Sequence, residues 1–426
     1  MSYLIFCLAI LQKYDIIIGV SVYNCQYGSL TKREIWAPLF ITILFLALSL
    51  ILHKLCNSTM WQDHDMWDYR LKVHVDAYPF GIRHFTSFPI LLMRDYFGWP
   101  VRETFFTLQF ALAFCLGISF YYYLRALNFD KTWSNVGLVL LLTAYPIMGA
   151  HFEPVFTWDD FWTYLFSVIA FTFIIRKRFT YAGLFFFLGC LAREQTIFLF
   201  PAYALGVFFY SGDIKWYKKI IYMFSPLLLW GAYYVNVAKV GDPNRFKYLT
   251  LNFKSFEWAR DNVFSWFISF GFMWLISTMA WFRLADHKKN KRASLVFWGF
   301  ILAVPVNTVF TFWMTLARET RIFFPPFIFV IPLALVLLIP FFKYFSTYYS
   351  TMQKISTSTL FAVICLGSYF LIANIVFPEF MYRQGPDYCQ IWSAVNLTAA
   401  FFIFAYYLLS RKFRSLYGEF ENEWCK

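Results

Sequence analysis

Asp63, His64, Asp65 and Asp68 set three carboxylates and an imidazole within six residues, in a polar stretch, 57–99, that also carries Arg70, Lys72, His74, Asp76, Arg83, His84 and Arg94. Carboxylates one helical turn apart can divide labour, one acting as general base while another orients it or holds a metal ion. A second acidic group, Glu153 with Asp159 and Asp160, stands just before an apolar run that begins at residue 161. Acids in that position also satisfy the open amides and the dipole of a helix start, so Asp160 has a structural alternative. Arg193-Glu194 and Arg318-Glu319-Thr320-Arg321 abut apolar runs directly. Charge is costly there and is kept for pairing or for function. These two groups are therefore internal ion pairs or the walls of an anion pocket.

The elements that must position these residues cross a membrane. The chain has 426 residues, 60% of them hydrophobic and 14% charged, with a mean hydropathy of +0.54. That much apolar surface does not fit inside one soluble globule. Apolar runs long enough to cross about 30 Å of hydrocarbon as helices recur throughout. They lie near 35–52, 104–124, 135–150, 161–175, 182–191, 196–210, 220–238, 263–282, 294–312, 322–342, 359–377 and 391–409. The expected fold is all-α, a polytopic helical bundle of about twelve spans. The two runs flanking Arg193 are short and suggest a pair of helices meeting at one face. Residues 1–30 form an apolar segment interrupted by Gln12-Lys13-Tyr14-Asp15, and residues 411–426 a cytoplasmic tail.

Basic clusters at Lys32/Arg33, Arg176-Lys177-Arg178, Lys215/Lys218/Lys219, Lys288/Lys289/Lys291/Arg292 and Arg411/Lys412/Arg414 fall in alternate loops. By the positive-inside rule those loops are cytoplasmic, which puts 57–99, 151–160, Arg193/Glu194, 239–261, 318–321 and 378–390 on the outer side. Arg83, Arg94, Arg193, Arg318, Arg321 and Arg383 then serve no topological purpose. A guanidinium at the membrane boundary is suited to bidentate capture of phosphate.

The net charge of +13 is spread over short loops instead of one stripe, which argues for anionic lipid and against nucleic acid. The eight cysteines show no CxxC pair, so no disulfide framework is expected. Asn57-Ser58-Thr59 fits a glycosylation sequon on the outer side. Neither GxGxxG nor GxxxxGK[ST] occurs, so nothing points to a nucleotide-driven domain.

The order of features resembles the multi-spanning GT-C glycosyltransferases. An Asp-rich first outer loop is followed by Tyr78-Pro79-Phe80 to Arg83, by Pro154 to Asp160, by Gly183-Leu184 through Leu191-Ala192-Arg193-Glu194-Gln195-Thr196 to Pro201, and by Arg318-Glu319-Thr320-Arg321 to Pro325-Pro326. The resemblance spans most of the chain and implies a GT-C-like arrangement over residues 31–410. It implies an enzyme that moves a sugar from a polyprenyl-phosphate carrier to a lipid or glycan acceptor at the non-cytoplasmic face. An acid of the first outer loop would be its base, Asp63 or Asp65, with Asp68 a third candidate. Arg83, His84, Glu153, Asp159, Asp160, Arg193, Glu194, Arg318 and Arg321 would bind substrate. The large soluble C-terminal domain of the family has no counterpart after the last expected span, which shifts acceptor recognition to the outer loops, chiefly 239–261.

The chemistry asks for the same parts. A phosphate-linked sugar needs a carboxylate to deprotonate the acceptor, cations to stabilise the departing phosphate and an apolar groove for the lipid. No metal ligand set is assigned, although the first-loop carboxylates leave Mg²⁺ or Mn²⁺ open. The expected location is a multi-pass protein of a bacterial plasma membrane, or of the endoplasmic reticulum in a eukaryote. The alternatives are a secondary transporter, which would show paired halves or broken helices, and a noncatalytic lipid-binding membrane protein.

Overall fold

The computed structural model describes residues 33–55, 64–76, 83–148, 158–212, 214–237, 247–283, 290–315, 317 and 320–349. The expected spans 359–377 and 391–409, the segment 1–30 and the tail 411–426 lie outside the described residues. Every regular element among the described residues is helical. In chain order they are α1 (Arg33–Leu55), α2 (His64–Asp76), α3 (His84–Phe97), α4 (Val101–Ala126), α5 (Lys131–Leu142), α6 (Tyr145–Met148), α7 (Trp158–Ile175), α8 (Phe179–Ala192), a 3-10 turn (Glu194–Leu199), α9 (Phe200–Tyr210), α10 (Trp216–Val237), α11 (Lys247–Asn252), α12 (Phe256–Phe270), α13 (Phe272–Arg283), α14 (Lys291–Met314), a second 3-10 turn (Thr320–Phe323) and α15 (Phe327–Tyr349).

Among the described residues three helices, α4, α10 and α14, are long and apolar enough to cross a membrane, and α12 with α13 forms a fourth, bent candidate. Shorter apolar helices run over Ile35–Ile51, Phe179–Ala192 and Phe327–Pro340. The described residues are thus all-helical, with the span lengths and hydropathy of a membrane protein. Helix α10 buries almost nothing, and Leu228 and Val235 stand 70% and 80% exposed. In water that would be a liability, whereas against lipid it costs nothing.

The core forms around α7, which packs between α4 and α8, and around α15, whose residues from Phe327 to Ile339 are buried on every side. A helix that is apolar all round belongs at the centre of a bundle. Aromatic side chains fill the space: Phe171 meets Tyr203 and Phe329 edge-on, and Phe324 stacks on Phe327 at 5.0 Å.

Four departures from the expected elements have local causes. The stretch 57–99, read as a loop, contains α2 and α3. Trp67, Leu71 and His74 recur at helical spacing and are buried, and Trp67 and Leu71 contribute about 1.5–3 kcal/mol each to docking α2 on the start of α4. Gly98 closes α3 with φ +64, a left-handed conformation in which its amide and that of Trp99 reach the carbonyls of Arg94 and Met93 at 3.1 and 3.2 Å.

The remaining departures are breaks. Pro146 lacks the N–H that would continue α5, so the expected 135–150 span ends at Leu142 and resumes as α6. Pro201 likewise offers no N–H to the Ile197 carbonyl, and the amide of Phe200 takes it in 3-10 geometry, so the helix expected from 196 begins as a 3-10 turn. The expected single span 263–282 is two helices bent by 70° at Gly271, whose φ of +53 with ψ −128 suits glycine.

Candidate functional site

Charged residues far apart in sequence meet at one end of this bundle. Arg83 stands just before α3, Asp159 and Asp160 lie in the first turn of α7, Arg193 and Glu194 occupy the corner between α8 and the 3-10 turn, and Arg321 lies in the 3-10 turn preceding α15. These positions follow from where the apolar runs stop. Each residue takes the first place at a helix end where a charge no longer has to sit between lipid-facing turns.

Arg83 grips Glu194 with two hydrogen bonds, Nε to Oε2 at 3.0 Å and Nη2 to Oε1 at 2.8 Å, while its Nη1 donates to Oδ2 of Asp159. The fork of the guanidinium matches the carboxylate plane, which a lysine could not do. Arg193 Nη1 pairs with Oδ1 of Asp160, and Arg321 Nη1 lies 3.3 Å from Oδ2 of the same residue. The adjacent acids of α7 thus face different arginines. Arg83, Asp159, Asp160 and Arg193 are all buried, and Glu194 keeps 20% side-chain exposure at the open side. Burial opposes the charge of Arg83, but the attraction of Glu194 and Asp159 outweighs it and holds the guanidinium protonated beyond its ordinary range.

Three neutral polar residues fix the geometry of Arg321. Tyr164 Oη donates to the Arg321 carbonyl at 2.8 Å, and the next carbonyl, that of Ile322, accepts from Asn307 Nδ2 at 3.1 Å and from Gln195 Nε2. Gln195 Nε2 also reaches Asn307 Oδ1 at 3.2 Å. On the other side His74 of α2 holds Ser87 of α3, Nδ1 to Oγ at 3.0 Å, with both residues buried. Burial drives the His74 pKa down to about 3, against the pull of Asp159 and with the push of Arg83, Arg321 and Arg193. Its imidazole is neutral at physiological pH.

The structure therefore brings together Arg83, Asp159, Asp160, Arg193, Glu194 and Arg321 from the sequence-derived set. Asp68 is elsewhere. It is exposed on α2, flanking the Trp67–Leu71–His74 stripe, and its charge acts on Arg94 in the last turn of α3. Asp63, Glu153 and Arg318 lie outside the described residues; Asp65 and His84 fall within α2 and α3 with side chains outside the described set. Sequence reasoning gave no role to His74, Ser87, Tyr164, Gln195 or Asn307. The signals available were the place of His74 in the polar stretch, that of Gln195 beside Arg193-Glu194, and Asn307 as an amide two residues after Pro305 in a largely apolar span.

Among the described residues no three His, Cys, Asp or Glu side chains converge as a metal ion would need. The clustered carboxylates are interleaved with guanidinium groups, a donor set that does not fit Mg²⁺ or Mn²⁺. What the cluster offers is a buried array of fixed guanidinium donors beside carboxylates, at a bundle end bordered by apolar helices. Compared with family models, with characterised proteins and with solved structures, the chain finds no match.

Proposed function

We propose that this chain is a membrane glycosyltransferase of GT-C type, an about twelve-span bundle that moves a sugar from a polyprenyl-phosphate carrier to a lipid or glycan acceptor at the non-cytoplasmic face. The observation that carries the reading is the meeting of Arg193 and Arg321 on Asp160. Two guanidinium groups 128 residues apart in sequence converge on one buried carboxylate, and Tyr164, Gln195 and Asn307 hold the turn that carries Arg321. In the proposed reaction the acceptor oxygen forms its bond to the anomeric carbon and the carbon–oxygen bond to phosphate breaks. The electron pair leaves with the phosphate, where arginines stabilise it, and the acceptor proton passes to a carboxylate. Preorganised donors of this kind are worth most in a dry site, because they need no reorganisation as charge develops.

The test is transfer from radiolabelled polyprenyl-phosphate hexoses and pentoses by the purified chain, run beside uptake of the same free sugars into proteoliposomes. Arg193→Gln and Arg321→Gln each weaken donor binding more than the corresponding Lys variants, which keep charge but lose the fork. Unchanged donor affinity in both Gln variants removes the phosphate site. One observation favours the transporter alternative, the 70° break between α12 and α13. Uptake without transfer would decide for it.

A further inference from the structure

Each carboxylate in the cluster is engaged differently. Glu194 has both oxygens on Arg83, and Asp160 has Arg193 on Oδ1 and Arg321 at 3.3 Å from Oδ2, an ion pair without a hydrogen bond. Among the described residues Asp159 uses only Oδ2, for Arg83, and its buried Oδ1 has neither a hydrogen bond nor an ion pair. A carboxylate oxygen taken out of water without a donor costs about 1–3 kcal/mol or more, and a hydroxyl brought to it recovers that cost. Asp159 is wholly buried, yet the adjacent Asp160 carries the two arginines assigned above to the donor phosphate. Asp159 precedes that residue on α7, and the charges of Arg193 and Arg321 act on it as well.

The surroundings keep that oxygen available. His74 beside it is neutral, and its Nδ1 is taken up with Ser87, so no imidazolium competes for Asp159. Arg83 holds Oδ2 and, through Glu194, is itself fixed to the 3-10 turn, which locks the carboxylate plane. Asp68, the one first-loop candidate whose side chain is described, points out of the cluster.

We infer that Asp159 is the catalytic base: its Oδ1 accepts the proton of the acceptor hydroxyl as the oxygen attacks the anomeric carbon and the phosphate departs toward Arg193 and Arg321. This rests on the glycosyltransferase reading. The proton ends on Asp159 and returns to water with the product, so the step balances without a further reactant.

Asp159→Asn keeps the shape and still accepts from Arg83 through its amide oxygen. In the full chain reconstituted with polyprenyl-phosphate sugars, the variant is expected to lose about 10²-fold or more in kcat, with donor affinity within about threefold of the parent. Asp159→Glu, a carboxylate displaced by one methylene, is expected to fall between the two in kcat with donor affinity kept. An Asn variant with parental kcat overturns the assignment, as does one that loses donor affinity and leaves kcat intact. Should the Asn variant fail to assemble, the Glu variant decides, and parental kcat there overturns it equally. A parent chain that transfers no sugar from any donor refutes the glycosyltransferase reading itself, whereas transfer that survives the Asn change removes Asp159 alone.

Discussion

Arg83→Met is expected to destabilise the folded bundle by about 4 kcal/mol. The guanidinium is 5% exposed and makes three charge-assisted contacts, two to Glu194 and one to Asp159. Methionine preserves much of the stem's packing and removes the charge. Breaking a buried ion pair by deleting one partner costs about 3–5 kcal/mol, because the remaining charge is stranded. Two acids are stranded here, but Glu194 is 20% exposed and can recover water, which keeps the total near one full pair. Arg83→Lys keeps the charge and loses the fork, giving up one or two of the three contacts, a loss of about 2 kcal/mol. The assay is equilibrium unfolding in mixed micelles. The ordering carries the argument, because the triple variant Arg83→Met, Asp159→Asn, Glu194→Gln removes the stranded charges and should recover most of the loss. If Arg83→Met costs under about 1 kcal/mol, or if the triple variant is no more stable than the single, the cluster does not hold the fold in the way described.

His74 supplies a pH dependence. Its pKa is lowered from 6.5 to about 3 on folding, so between those values the unfolded chain binds the extra proton. Stability is then full above about pH 7 and falls on acidification by about 1.4 kcal/mol per pH unit, reaching about 2 kcal/mol at pH 5. His74→Gln should remove that slope, and a parental stability that is flat from pH 7 to 5 contradicts it. Gly299→Ala places a methyl group 2.3 to 2.7 Å from ring atoms of Phe329 and should cost about 1–3 kcal/mol by overpacking α14 against α15. Gly231→Ala on α10 meets nothing within 4 Å and should be neutral or stabilising by up to about 1 kcal/mol. Unfolding midpoints of the two variants in one detergent check both.

Which of these features the sequence reveals depends on whether the cause is local. The positions of α4, α10 and α14 follow from run length and hydropathy alone. The ends of α7 and α8 are legible because Asp159, Asp160, Arg193 and Glu194 mark where charge becomes affordable. The breaks at Pro146, Pro201 and Gly271 were present as residue types, yet uninterrupted hydropathy outweighed them in the reading of spans. In α2 the polar residues concealed a buried stripe that helical spacing of Trp67, Leu71 and His74 does encode. Pairing is another matter. No local pattern states that Arg83 chooses Asp159 and Glu194 while Arg193 chooses Asp160, since that choice depends on the packing of α4, α7 and α8 and on which faces they turn inward. The Gln195–Asn307–Ile322 contact, spanning 112 and 127 residues, is equally invisible.

The sequence distance inside the Arg83 clamp has a consequence for how the protein is made. Asp159 follows Arg83 by 76 residues and Glu194 by 111. At translation rates of about 5–20 residues per second, Arg83 waits roughly 4–15 s for its first carboxylate and longer for its second. Throughout that interval α2 and α3 can dock on one another, on the start of α4 and on Leu50 of α1, while the guanidinium must remain hydrated. A charge placed mid-span could not wait in that way. Seated just ahead of α3, Arg83 can stay in water while the later helices are inserted, and its capture by α7 and then by the corner after α8 becomes a late latch, closing only once the helices it joins are in place.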